Sequence, residues 1–113
     1  MPMMNKPTLA ALCALAMLQM SPSQAQQATV VQVTYSKGQF QPSDVRAPAD
    51  KPIIFRVKNL DAKAMEFESK SLRVEKVVGA NSEGVINVRA LKPGRYEFYD
   101  DFNEKARGAL TVP

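Results

Sequence analysis

Histidine and tryptophan are missing from the chain, and its one cysteine, Cys13, sits in an apolar stretch near the start. Lys6 makes a basic opening, Leu9 to Met20 is an apolar run, and Ser23-Gln24-Ala25 is a small-x-small site. Together these read as a secretory signal over residues 1–25, cut after Ala25 and implying an exported protein. Cys13 follows Leu12 rather than a small residue, so it does not read as a lipid-attachment cysteine. After cleavage, residues 26–113 hold no cysteine, no histidine and a single methionine, Met65. That excludes Ser-His-Asp catalysis, zinc sites built on His or Cys, and copper centres that need a thiolate and imidazoles. It also excludes disulfides, so the hydrophobic core and the sheet hydrogen bonds must stabilise a small exported domain.

Long hydrophobic runs are scarce too. The only one is the signal, which is too short to span a bilayer comfortably, so the protein is not itself expected to be transmembrane. Charge of one sign is not concentrated either. Without Lys6 the chain has 14 basic and 11 acidic residues, about +3, and the basic ones are scattered singly from Lys37 to Arg107. A nucleic-acid partner is therefore not expected. A chain of 113 residues has room for one core, so residues 26–113 should form one domain.

What is present reads as short strands. Val31, Val33 and Tyr35 alternate with Val30, Gln32 and Thr34, an edge or sheet-switching first strand, and Ser36-Lys37-Gly38 turns the chain. Phe40, Pro42 and Val45 fit a proline-bounded edge strand. Ile53, Phe55 and Val57 alternate with Ile54, Arg56 and Lys58, a strand that should cross the core. Met65 to Glu68, Leu72 to Val78 and Val85 to Arg89 follow, and Lys92-Pro93-Gly94 should make a tight turn, with a positive φ at Gly94, into Tyr96, Phe98 and Asp100 on one strand face. About seven strands at regular spacing, with no convincing helix, predict an all-β, antiparallel Greek-key β-sandwich.

An apolar pair leading to Asp100 resembles the last two strands of a cupredoxin, where Gly-x-Tyr-x-Phe leads to a copper-binding cysteine and a histidine follows three residues later. Asp100 and Asn103 stand at those two places, and Gly108-x-Leu110-x-Val112 resembles the closing strand. The fold implied is cupredoxin-like, and a type 1 blue-copper site is not. More narrowly, Asn59-Leu60-Asp61, Glu66-Phe67-Glu68-Ser69, Leu72-x-x-Glu75-Lys76, Leu91-x-Pro93-Gly94-x-Tyr96 and Phe98-x-Asp100-Asp101-Phe102 look like EfeO-type cupredoxin-like domains of bacterial ferrous-iron uptake systems. That resemblance implies a periplasmic location for this chain, with a periplasmic iron-binding protein and a membrane iron permease as partners. Many relatives have a histidine at the place of Asn103 and an acidic residue near that of Met65.

In such a sandwich the loops after Asn59 and after Tyr99 lie at one end and supply the metal ligands. The resemblance therefore gathers Met65, Glu66, Glu68, Glu75, Asp100 and Asp101 as candidate ligands for an iron or copper ion. Crowded carboxylates repel unless a cation or protons separate them. Oxygen donors suit ferric iron, manganese or calcium, and a thioether such as Met65 suits cuprous copper. The plainer alternatives are that Glu66 and Glu68 form the solvent face of a strand built on Phe67, that Asp100 and Asp101 cap a turn, and that Met65 fills the core. Two functions follow: a metal-binding protein, not itself an enzyme, that assists ferrous-iron oxidation or transfer, or a metal-free docking subunit of the same complex.

Overall fold

The structure, a computed structural model, describes residues 27–113. The expected signal over residues 1–25, with Cys13, lies outside the described residues. Nine strands make up two facing sheets: β1 (Thr29–Ser36), β2 (Gln39–Gln41), β3 (Asp44–Arg46), β4 (Ile53–Asn59), β5 (Met65–Ser69), β6 (Val74–Val78), β7 (Glu83–Val88), β8 (Gly94–Asp100) and β9 (Asn103–Val112). One sheet has the order β2-β1-β4-β7 and the other β3-β9-β8-β5-β6. The all-β sandwich is as the alternation predicts.

Three details differ from the sequence expectation. The strand count is nine rather than seven because the stretch after Gly38 splits: β2 pairs with β1, and β3 crosses to pair with β9. Pro42 has no N–H to continue a ladder, so the break falls there. Hence residues 39–46, not the first strand, switch sheets, and β1 lies inside its sheet between β2 and β4. Nor is the pairing wholly antiparallel, since β1–β4 and β3–β9 are parallel. Finally, Gly94 does not have a positive φ; the left-handed glycine is Gly38 (φ 70°), preceded by Lys37 (φ 53°). Two such residues between the paired Ser36 and Gln39 form the two-residue hairpin turn whose twist matches the flanking strands.

The core lies where the inward faces meet. Phe55, Phe67 and Phe98 are fully buried, and the rings of Phe67 and Phe98 stack with centroids 5.1 Å apart while Phe40 meets Phe98 edge-on at 5.0 Å. Gly108 makes room for this packing. A Cβ there would stand 2.5 Å from Cζ of Phe98 and 2.8 Å from the Ser43 carbonyl oxygen. At the end of β4, buried Asn59 accepts from the Asp61 N–H (2.9 Å) and donates to the Lys63 carbonyl (2.8 Å) and to Gly79 (3.1 Å). Asp61 in turn accepts from the N–H groups of Lys37 (2.6 Å) and Gly38 (3.1 Å). The loop end is thus closed by side chains that satisfy turn amides.

Candidate metal centre

Strand β5 alternates Met65, Phe67 and Ser69 inward with Glu66 and Glu68 outward, and the first three are buried. Its period of two therefore separates the sequence candidates. Met65 is 1% exposed and belongs to the core cluster, on the face opposite Glu66 and Glu68, so it cannot share an ion with them. The expectation of a thioether ligand beside these carboxylates is corrected accordingly.

Asp100 also points inward, opposite Phe67 across the sheet, and is 2% exposed. Its carboxylate accepts three hydrogen bonds: from the Tyr35 hydroxyl (2.5 Å), the Glu66 N–H (2.9 Å) and the Phe102 N–H (2.9 Å). Burial, followed by this bond and the Asp100 charge, pushes the Tyr35 phenol up to about 12, and a hydrogen bond from Asn103 opposes the rise. Asp100, bonded to Tyr35, and the exposed Asn103 therefore stand at the places where the resemblance sets a cysteine and a histidine. Asp100 and Asn103 do not fit a type 1 copper ion, which needs a thiolate and imidazoles.

The remaining carboxylates gather outside. Glu66, Glu68 and Asp101 each offer an oxygen within 4.8 Å of the others, the two glutamates half-buried and Asp101 exposed. Glu75 on β6 stands directly across from Glu68. A register shift after Tyr99, where β8 meets β9, frees Asp101 from the ladder, and its N–H donates to the Glu66 carbonyl at 2.9 Å. The site thus lies on the outer face of the five-stranded sheet beside the β8–β9 turn, with its carboxylates in a different layer from Asp100. Partial desolvation, then the charges of Glu75, Asp101 and Glu68, raise the Glu66 carboxyl above its ordinary value; desolvation, Asp101 and Glu75 do the same for Glu68. Among the described residues, the ion pairs are Arg56–Glu83, Lys92–Asp50 and Arg95 with Asp44 and Glu97, and none reaches Glu66, Glu68, Glu75 or Asp101.

Sequence reasoning did not single out Tyr99, Glu104 or Arg107, which line the same open groove of about 840 Å³ with Glu68, Glu75 and Asp101. Arg107 lies over the Tyr99 ring, 4.9 Å from its centroid. It also missed the Tyr35–Asp100 bond. A signal existed: Tyr35 alternates inward with Val31 and Val33, and a buried phenol needs a polar partner.

Comparison with known proteins decides the family. A profile described as a cupredoxin-like domain matches residues 8–112. The chain belongs to the cupredoxin-like domain family. An uncharacterized protein of Rickettsia prowazekii (strain Madrid E) is 35% identical over 83 residues, 73% of this chain, and the match spans 66% of that protein's length. Among solved structures, the cupredoxin-like chain is similar to the metal-binding domain of a Cu(I)-exporting P-type ATPase of Streptococcus pneumoniae (TM-score 0.69, 19% identity, 82% of this chain and 91% of that one). It is also similar to auracyanin A, a blue copper protein of Chloroflexus aurantiacus (TM-score 0.65, 11% identity, 77% and 100%). At such identities these likenesses establish a shared fold.

Proposed function

We propose that this cupredoxin-like protein is a periplasmic metal-binding protein of a ferrous-iron uptake system, of the EfeO type, which holds an iron ion and assists its oxidation or its transfer to a membrane iron permease. One observation carries the reading: Glu66, Glu68 and Asp101 converge within 4.8 Å and none of them forms an ion pair within 4.0 Å among the described residues, although Lys70, Arg95 and Arg107 line the groove beside them. With Met65 facing the core, the donors are all oxygen, a set suited to ferric or ferrous iron and poorly suited to cuprous copper. Cupric copper would also bind in vitro, since divalent affinities peak at copper in any such site. Iron is the ion the chemistry and the motif resemblance favour together. On this reading it is a binding protein and not itself an enzyme, since residues 27–113 hold no cysteine or histidine from which to build a redox centre. A periplasmic iron-binding protein and the permease are the expected partners.

The metal-free docking subunit remains the second reading, because the same carboxylates, none of them in an ion pair among the described residues, would equally receive lysine or arginine side chains of a partner. Metal content separates the two. Exported, tag-free protein should retain, or take up from ferrous iron, about one ion per chain. Protein that stays metal-free and shows no heat of binding with either iron or copper would move the assignment to the docking subunit.

A further inference from the structure

The buried Asp100 joins the two layers of this end of the molecule. One of its oxygens accepts from the Glu66 N–H and the Phe102 N–H, both at 2.9 Å, and the other accepts from Tyr35 at 2.5 Å. Phe102 follows Asp101, and the Asp101 N–H donates back to the Glu66 carbonyl at 2.9 Å. The backbone at Glu66 is therefore held on both its N–H and its carbonyl, and Asp101 is held at its own N–H and at the next residue. These two residues come from β5 and the β8–β9 turn, far apart in sequence, and the Asp100 carboxylate acts with the direct Asp101–Glu66 backbone bond to fix their spacing. Tyr35, from the opposite sheet, fixes Asp100 in turn.

We propose that Asp100 is the positioning residue of the carboxylate site: it binds no ion, but presets the distance between Glu66 and Asp101 so that both oxygens reach one cation. The inference rests on the metal-binding reading above. Its physical basis is that partners one layer behind metal ligands set ligand geometry, and removing them usually lowers metal affinity about 10- to 100-fold.

Isosteric replacement distinguishes positioning from ligation. In Asp100→Asn the amide oxygen can still accept from Glu66 and Phe102, while its NH2 group donates to the Tyr35 hydroxyl oxygen. Calorimetric titration with ferrous iron under argon should therefore give Asp100→Asn an affinity within about threefold of the wild type, and Asp100→Ala an affinity at least about tenfold weaker. If the alanine variant does not fold, Asp100→Ser, which is too short to reach the Glu66 amide, takes its place. Equal losses in the asparagine and alanine variants would make Asp100 a ligand and overturn the proposal. No loss in either would overturn it as well. A wild-type protein that binds no iron would instead defeat the metal-binding reading, so the two failures are distinct.

Discussion

At the residue scale, the balance lies between carboxylates that are satisfied and carboxylates that are not. Asp100 is buried and fully partnered, and its phenolic partner holds its proton to about 12. Because the folded value exceeds the unfolded 10, the stability from this contact is whole below pH 10 and is lost as pH rises through about 12. Tyr35→Phe should cost about 1.5 to 3 kcal/mol at pH 8, the worth of a hydrogen bond to a charged group, and should remove that alkaline loss; denaturant melts from pH 8 to 12 check both. Glu66 and Glu68 show the opposite situation. Their carboxyls keep protons to higher pH when folded, so stability of the metal-free protein should rise as pH falls from neutrality toward the ordinary value of 4.5. Glu66→Gln should raise the metal-free Tm at pH 7 and flatten this dependence. An unchanged or lower Tm would mean that the crowding is relieved by solvent alone. Met65→Leu, in contrast, exchanges similar volumes in the core and should leave metal affinity unchanged.

At the level of elements, β5 carries the core on one face and the site on the other, while β8 supplies core and leads into the turn that holds Asp101. Phe98→Ala should destabilise the domain by about 3 to 5 kcal/mol, the usual cost of removing a buried ring. Gly108→Ala should cost about 1 to 3 kcal/mol by overpacking, since its Cβ would press on the Phe98 ring and the Ser43 carbonyl. Loss below about 0.5 kcal/mol in urea melts would show that the ring can move aside. The strands were legible because period two is local: Ile53, Phe55 and Val57 fall inward as their alternation requires. Alternation also told which residues share a face, and it placed Met65 with Phe67 and against Glu66, although the ligand set drawn from the family resemblance crossed that line. Pairing partners were less legible. That β1 runs parallel to β4, and that residues 39–46 divide between sheets, depends on contacts between segments distant in sequence. Gly94 misled because Pro-Gly suits turns, whereas Gly94 is already the first residue of β8 and its φ is not positive.

On the scale of the whole molecule, a cupredoxin-like sandwich keeps its core while the chemistry moves. Tyr35, Asp100 and Asn103 line the end where the resemblance would place a type 1 ion, and the acidic residues collect one layer outward beside the β8–β9 turn. The individual acidic residues, and the alternation that sets Asp100 with Phe98, could be read from the sequence, but the gathering of Asp101 with Glu66 and Glu68 could not, because it depends on a contact between β5 and the β8–β9 turn. Only the folded sheet brings β5 and the β8–β9 turn together, so an ion held there should stabilise the fold by about 2.7 kcal/mol at a free concentration of 100 Kd. The most direct measurement is calorimetric titration of the wild type, Glu66→Gln and Asp101→Asn with ferrous iron under argon and with cupric copper. One ion per wild-type chain is expected, with each variant weakened at least about tenfold, or about 1.4 kcal/mol. Affinity unchanged in both variants would contradict a metal centre built on these carboxylates.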